Sequence, residues 1–129
     1  MYLERAIDTL LLEWKNSNNQ KPLLLRGARQ VGKSWAAKHL GETFDYYIEV
    51  NFEKQPDLKD VFERVHDVHD LANSLGMLYN VPVEAGKTLL FLDEIQVCPA
   101  AIMSLWAFKE DFPGLHVVAA GSLLEFALQ

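Results

Sequence analysis

The sequence predicts an α/β fold, a three-layer sandwich in which a parallel β-sheet is covered by helices on both faces. Short apolar runs alternate along the chain with segments of helical periodicity, which is the order of a parallel sheet with crossover helices. The runs at 23–25 and 89–92 are apolar throughout, as expected of strands that are buried on both faces. The 129 residues, 50% hydrophobic and 23% charged, have the size and composition of a single globular domain, 1–129.

The first half of the chain is predicted to hold two helices and two strands. Residues 2–15 read as an N-terminal amphipathic helix, because large apolar side chains recur every three or four positions. A core over residues 22–129 follows it. Its first elements are a strand over 22–25, a helix over 33–40 with Gly41 as its C-terminal cap, and a strand over 46–52.

The second half is predicted to continue the same alternation. Its elements are a helix over 57–79 with a break near Gly76, a strand over 88–92, a helix over 100–108, a strand over 115–120 and a helix over 122–128. Trp106, Phe108 and Phe112 are predicted to lie in the core. His66 and His69 fall on the long helix, where a solvated acidic face is a better interpretation than a metal site.

Charge and composition exclude several classes of protein. The 12 Lys and Arg against 18 Asp and Glu, a net charge of −6, argue against direct nucleic-acid binding, which needs clustered positive charge. Cys98 is the only cysteine, so no intramolecular disulfide can form. No apolar run approaches the about 20 residues of a membrane helix, and the first residues do not resemble a signal peptide. These features predict a cytoplasmic protein without a membrane partner.

Residues 27–34 match the motif G-x-x-x-x-G-K-[ST] in full, between a predicted strand and a predicted helix. Glycines let the backbone curl so that its N–H groups point at phosphate oxygens, and the following helix start adds its positive dipole end. Lys33 supplies a charge for the β- and γ-phosphates, and the Ser34 hydroxyl is a ligand for Mg²⁺. The predicted nucleoside triphosphate site consists of Gly27, Ala28, Arg29, Gln30, Val31, Gly32, Lys33, Ser34 and the adjacent Trp35.

The apolar run at residues 89–92 ends in two carboxylates, Asp93 and Glu94. In a parallel sheet this tip and the phosphate loop lie at the same carboxyl edge, where open α/β sheets bind ligands. Asp93 is predicted to hold Mg²⁺, in the manner of a Walker B aspartate. Glu94 is predicted to orient or deprotonate the attacking water. This second carboxylate favours hydrolysis over transfer to an acceptor that brings its own nucleophile.

Residues 23–34, 92–96 and 120–126 together resemble the prokaryotic ATP-binding proteins of the AAA+ superfamily, in which a nuclease-like C-terminal domain usually follows the ATPase domain. The resemblance implies ATP as the nucleotide and an ASCE-type sheet. It also implies that Ser122, at the end of the fourth core strand, senses the γ-phosphate. Asn51, at the end of the second strand, takes the place of a residue that restrains the catalytic glutamate.

The resemblance further implies parts that would come after Gln129, namely a final strand, a helical lid, an arginine finger and the C-terminal domain. The sequence therefore predicts a truncated domain, incomplete at its C-terminus. Without the final strand, the first strand becomes an exposed edge, which predicts self-association. Without the arginine finger, hydrolysis by the isolated chain is expected to be weak or absent.

The leading hypothesis is an AAA+-like ATPase that uses ATP and Mg²⁺, with Glu94 as the base. One alternative is a nucleotide-dependent interaction or switch module that binds ATP or ADP with little hydrolysis. A weaker alternative is a small-molecule kinase, for which no acceptor site is evident. The sequence identifies no protein partner.

Overall fold

A computed structural model of the chain describes the backbone of residues 2–17, 21–27 and 31–122, and the side chains of these ranges outside 2–5, 26–27, 31–33 and 122. Strands and helices alternate as predicted. The elements are α1 (Tyr2–Asn16), β1 (Leu23–Gly27), α2 (Val31–Gly41), β2 (Tyr46–Asn51), α3 (Leu58–Arg64), α4 (Val68–Tyr79), β3 (Thr88–Asp93), a 3-10 turn (Ile95–Val97), α5 (Pro99–Asp111) and β4 (His116–Ser122).

The described strands form one parallel sheet in the order β1-β4-β3-β2. In its register Asn51 lies opposite Asp93, and Gly27 lies opposite Ser122. Leu92 lies opposite Ala119, so β4 and its neighbour β1 extend beyond the ends of β3 and β2 at the same edge of the sheet. The predicted α/β fold with a parallel sheet is confirmed.

Two hydrophobic clusters separate the layers of the sandwich. Helices α1 and α2 cover one face of the sheet, where Leu11 and Ala37 pack with Phe91. Helices α3, α4 and α5 cover the other face, where Phe62 and Leu71 pack against the sheet. Successive strand residues point to opposite faces, and every residue of β3 is buried. The apolar run that ends in Asp93 is thus the centre of the sandwich.

Helix α2 begins at Val31, earlier than predicted, and Gly41 is its last residue. Gly41 has no left-handed φ, so its predicted role as a C-terminal cap is wrong. A Cβ atom at this position would lie 2.5 Å from Cδ1 of Tyr47. Glycine is needed at position 41 because the Tyr47 ring packs directly over the end of the helix.

The predicted helix over 57–79 is wrong in its middle, because two helices occupy this segment. Helix α3 ends at Arg64, Val65 is extended, and the Asp67 side chain accepts hydrogen bonds from the backbone N–H groups of His69 and Asp70. This N-cap starts α4 anew and satisfies two amides that a continuous helix would bond internally. The predicted break at Gly76 is also wrong, since α4 continues to Tyr79.

His66 precedes α4 and His69 lies within it, so the two histidines do not share a helix as predicted. Their ring nitrogens are turned to separate backbone carbonyls. Nε2 of His66 lies 2.9 Å from the oxygen of Glu63, and Nε2 of His69 lies 2.8 Å from that of Asp111. Both side chains are exposed, as a solvated face requires.

Trp106 does not lie in the core, and this prediction is wrong: the residue is 62% exposed. The buried stripe of α5 consists of Ala101, Ser104 and Phe108, and position 106 falls on the opposite side of the helix. Phe108 is buried and Phe112 packs against the core, as predicted.

The last predicted helix falls largely outside the described residues, since Ser122 ends β4 and residues 123–129 are not described. Among the helices that the structure describes, none is both long and apolar enough to span a membrane.

Candidate functional site

The ends of the strands and the start of α2 meet at the carboxyl edge of the sheet. Strand β1 ends at Gly27, and α2 begins after three intervening residues. Strand β3 ends at Asp93, between the ends of β2 and β4. The predicted site residues that the structure describes therefore lie at or next to this edge, as the parallel topology requires.

Ser34 and Asp93, the two predicted Mg²⁺ ligands, are in direct contact. The Ser34 hydroxyl donates a hydrogen bond to Oδ2 of Asp93 at 2.7 Å, although the two residues are 59 positions apart. Ser34 is partly buried, and the Asp93 residue is 7% exposed. The fold therefore brings the hydroxyl of one motif and the carboxylate of the other to the same point.

The Asp93 carboxylate is held at both oxygens. Its Oδ1 accepts a hydrogen bond from the backbone N–H of Glu94 at 2.9 Å, and Nδ2 of Asn51 lies 3.5 Å from Oδ2. Burial raises the pKa of Asp93 above its ordinary value. The hydrogen bonds from Ser34 and from the Glu94 amide lower this pKa, and the nearby carboxylates of Glu94 and Glu49 raise it further. A buried carboxylate with two acidic neighbours is a place where a cation stabilises the charge.

Glu94 directly follows Asp93 and has a left-handed backbone, with φ 54° and ψ 44°. This conformation costs a non-glycine residue about 1–2 kcal/mol. It turns the chain out of β3 and into the 3-10 turn, whose Val97 amide donates to the carbonyl of Glu94 at 3.3 Å. The strain is located at the residue that the sequence assigns to catalysis.

Gln96 is the residue of this edge that the sequence analysis missed. Its Nε2 donates to Oε1 of Glu94 at 2.8 Å, and the residue is 4% exposed. Gln96 lies inside the segment 92–96 that carries the family resemblance. However, a glutamine two positions after a glutamate forms no recognisable pattern by itself, and only the turn geometry brings the two side chains together.

Asn51 shapes the turn after β2. Its Oδ1 accepts hydrogen bonds from the backbone N–H groups of Glu53 and Lys54, both at 3.0 Å. Its side-chain nitrogen Nδ2 lies 3.5 Å from Oδ2 of Asp93, which is long for a hydrogen bond. The structure thus places Asn51 beside Asp93, and its role as a restraint on Glu94 stays a prediction.

Trp35 lies on α2 directly after Ser34 and is 44% exposed. The centroid of its ring is 4.9 Å from that of the His39 ring, one turn further along the helix. Nδ1 of His39 in turn lies 3.1 Å from Oδ2 of Asp8 on α1. Trp35 therefore presents an aromatic surface to solvent at the start of the helix that carries Ser34.

Other predicted site residues are described in part or not at all. Val31, Gly32 and Lys33 form the first turn of α2, Gly27 ends β1 and Ser122 ends β4, with only the backbone described. Ala28, Arg29 and Gln30 lie outside the described residues.

The donor set fits Mg²⁺, which prefers oxygen ligands, takes one or two carboxylates from a protein and otherwise binds water and phosphate oxygens. Ser34 and Asp93 supply a hydroxyl and a carboxylate that already touch. Within the described ranges, no group of three or more His, Cys, Asp or Glu residues could hold a metal ion by itself.

The chain was compared with models of known protein families. A family model described as an AAA domain, a family of P-loop ATPases, matches residues 19–129. The matched segment extends from just before β1 to the last residue and includes every predicted site residue. No curated protein matches the sequence.

Proposed function

The chain belongs to the AAA domain family of P-loop ATPases, and we propose that it binds ATP with Mg²⁺ at the carboxyl edge of its sheet and hydrolyses it. The observation that carries this proposal is the 2.7 Å hydrogen bond between Ser34 and Asp93. Two motifs distant in sequence, each assigned to Mg²⁺ on chemical grounds, meet at one point. This meeting supports a single shared site.

In the proposed site the phosphates lie in the loop of residues 27–34, where backbone N–H groups and the start of α2 favour negative charge. Lys33 supplies a positive charge for the β- and γ-phosphates. Arg29 lies within the same loop. The exposed ring of Trp35 borders the start of α2 and is proposed to contact the base or the ribose.

Ser34 and Asp93 would hold Mg²⁺ through the hydroxyl and carboxylate oxygens that touch in the structure. The chemistry that the ion supplies when bound is neutralisation of charge on the phosphates. The carboxylates of Glu94 and Glu49 add to the negative charge near Asp93, which favours binding of a cation.

Glu94 is proposed to act as the general base. Its carboxylate accepts a proton from a water molecule, whose oxygen bonds to the γ-phosphorus as the bond to the β,γ-bridging oxygen breaks. The products are ADP and inorganic phosphate. Ser122 is proposed to sense the γ-phosphate, and its place opposite Gly27 in the sheet register supports a position beside the phosphate loop. Asn51, whose Nδ2 lies 3.5 Å from Oδ2 of Asp93, is proposed to restrain the catalytic Glu94.

The test compares binding of a fluorescent ATP analogue with steady-state phosphate release, for the wild type and Glu94→Gln. The variant retains the shape of the side chain but loses the base. Binding should therefore persist, while phosphate release falls by about 10²–10⁴. Glu84→Gln is the matched control, because Glu84 is exposed and precedes β3 at the opposite edge of the sheet.

The outcomes separate the competing functions. If both proteins bind the analogue but release phosphate equally slowly, the chain is a nucleotide-dependent switch module. Phosphate transfer that requires an added small-molecule acceptor would indicate a kinase. Absence of Mg²⁺-dependent binding would overturn the proposal altogether.

A further inference from the structure

Glu94 and Gln96 form a side-chain pair at the end of β3. The Nε2 of Gln96 donates to Oε1 of Glu94 at 2.8 Å, a distance typical of a well-formed hydrogen bond. The described hydrogen bonds of the Asn51 side chain go to the turn after β2 and to Asp93. The Gln96 side chain is thus in direct contact with the carboxylate of Glu94.

The amide of Gln96 is a rigid donor. The residue is the middle one of the 3-10 turn, and its neighbour Ile95 is fully buried. The amide of Cys98 donates to the carbonyl of Ile95 at 3.0 Å, directly before Pro99 begins α5. A glutamine that is 4% exposed has already lost its rotamer freedom on folding. Its hydrogen bond can thus orient a partner at little further entropic cost.

Hydrogen bonds also fix the backbone of Glu94. The position of its carboxylate therefore depends mainly on the torsion angles of the side chain. The amide of Glu94 donates to Oδ1 of Asp93, and its carbonyl accepts from Val97. A glutamate side chain with free torsions spreads its carboxylate over many positions. The hydrogen bond from Gln96 selects among them.

A neutral amide suits a residue that supports a base. An amide donor fixes the carboxylate without placing a second charge beside it. An ionised carboxylate has about four lone-pair sites on its two oxygens, and the bond from Gln96 takes one of them, on Oε1.

We infer that Gln96 is a positioning residue, which holds the Glu94 carboxylate in the orientation that water activation requires. This inference rests on the proposed role of Glu94 as the base. Gln96 acts through Glu94 and does not itself contact the reacting atoms.

The kinetic test uses Gln96→Met, which preserves the length and burial of the side chain but removes the donor. We expect kcat for ATP hydrolysis to fall on the order of 10- to 100-fold with KM unchanged, because misplacement of a catalytic group costs up to about 10²-fold. The same substitution in a Glu94→Gln background should cause no further loss, because the two residues act as one unit. Ser104→Ala is the control, since it removes a buried hydroxyl of α5 that donates to the carbonyl of Ala101.

A second variant and a second measurement guard against a folding defect. Gln96→Glu replaces the donor by an acceptor and should also lower kcat. Independently of activity, the side-chain amide signals of Gln96 can be followed by NMR in the nucleotide-free protein. They should shift in Glu94→Gly, a change that suits the left-handed backbone at position 94, and remain in place in Ser104→Ala.

An unchanged Gln96 amide signal in Glu94→Gly would show that the contact is absent and overturn the inference. Wild-type or increased kcat in Gln96→Met, with a low kcat in Glu94→Gln, would also overturn it, while the proposed ATPase function would stand. If wild type and Glu94→Gln release phosphate equally, the base assignment fails, and the inference fails with it. The binding of the fluorescent ATP analogue would still test the proposed nucleotide site, because that measurement does not depend on hydrolysis.

Discussion

Ser34 donates its hydroxyl hydrogen to Oδ2 of Asp93 at 2.7 Å, and this bond ties the first turns of α2 to the end of β3. The bond brings an oxygen of the phosphate-loop motif onto an oxygen of the acidic strand tip. Because the Asp93 carboxylate is also held by the backbone N–H of Glu94, its orientation is set by the protein itself. The two proposed Mg²⁺ ligands are thus already in contact and oriented in the folded chain.

The first prediction concerns Mg²⁺. For the wild type, an ATP analogue should bind more tightly in Mg²⁺ than in EDTA. In Ser34→Ala and in Asp93→Asn this difference should shrink, because each change removes one of the two proposed ligands. Fluorescence titrations under both conditions measure it. Asp45→Asn is the control, since Asp45 is exposed and precedes β2 at the opposite edge of the sheet. An undiminished Mg²⁺ dependence in both variants would contradict the proposed ligands.

The second prediction concerns Lys33. Replacing Lys33 by Ala removes the charge assigned to the phosphates, so ATP should no longer raise the melting temperature of the protein. Ligand that binds only the folded state stabilises it, which makes thermal shift a direct measure of binding. Lys38→Ala, an exposed lysine in the last turn of α2, should behave like the wild type. Equal thermal shifts in the two variants would argue against the phosphate-loop assignment.

The third prediction concerns the contact between Gly41 and Tyr47. A Cβ at position 41 would lie 2.5 Å from the Tyr47 ring, so Gly41→Ala should lower the free energy of unfolding. Overpacking costs about 1–3 kcal/mol, which exceeds the about 0.5–1 kcal/mol by which Ala is favoured over Gly in a helix.

Denaturant unfolding measures this effect, and a double-mutant cycle with Tyr47→Ala supplies the control. In that background the Cβ has room, and Gly41→Ala should be neutral or stabilising. If Gly41→Ala stabilises the protein with Tyr47 present, the proposed contact is incorrect.

The fourth prediction concerns pH and His116, the first residue of β4, which is 3% exposed. Its Nε2 lies 3.1 Å from the carbonyl oxygen of Lys15, and its Nδ1 is buried without a partner among the described residues. The rings of Trp14 and Phe44 pack edge-on against it. Burial lowers the pKa of His116 below its ordinary 6.5; the hydrogen bond to the Lys15 carbonyl opposes this, and the charge of Lys15 adds to it.

The lowered pKa of His116 means that the unfolded chain takes up a proton at a higher pH than the folded chain does. The stability contributed by neutral His116 is therefore complete above pH 6.5 and is lost as pH falls through the lower pKa of the folded protein. Chemical unfolding gives the free energy of unfolding at pH 7.5 and at pH 5.5, about one unit either side of the ordinary pKa of histidine. Between these two pH values the free energy should fall further in the wild type than in His116→Phe. His66→Gln, which removes an exposed histidine, should retain the wild-type loss. Equal losses in the wild type and His116→Phe would contradict the prediction.

Local patterns in the sequence predicted the order of the elements, the parallel sheet and the edge at which the site lies. An apolar run followed by Asp93 and Glu94 specifies a buried strand with an acidic tip, whatever the rest of the chain does. The loop of residues 27–34 specifies its chemistry in the same way, because eight consecutive positions carry the whole motif. These features depend on neighbours in sequence, and hydrophobic periodicity and backbone geometry act over that range.

Only the tertiary structure decided which residues distant or irregularly spaced in sequence touch each other. The Asp67 side chain competes with the helix for two amides and divides the segment that periodicity predicted as continuous. Trp106 is exposed because no element of the described structure covers its side of α5, and Gly41 is required by the ring of Tyr47 on the next strand. The pairing of Gln96 with Glu94 depends on a left-handed turn that sequence periodicity does not encode. The contact of Gly41 with Tyr47 and the exposure of Trp106 depend on how the elements pack together. The bonds of Asp67 and Gln96 depend on local backbone turns, so helical periodicity alone could not predict any of these features.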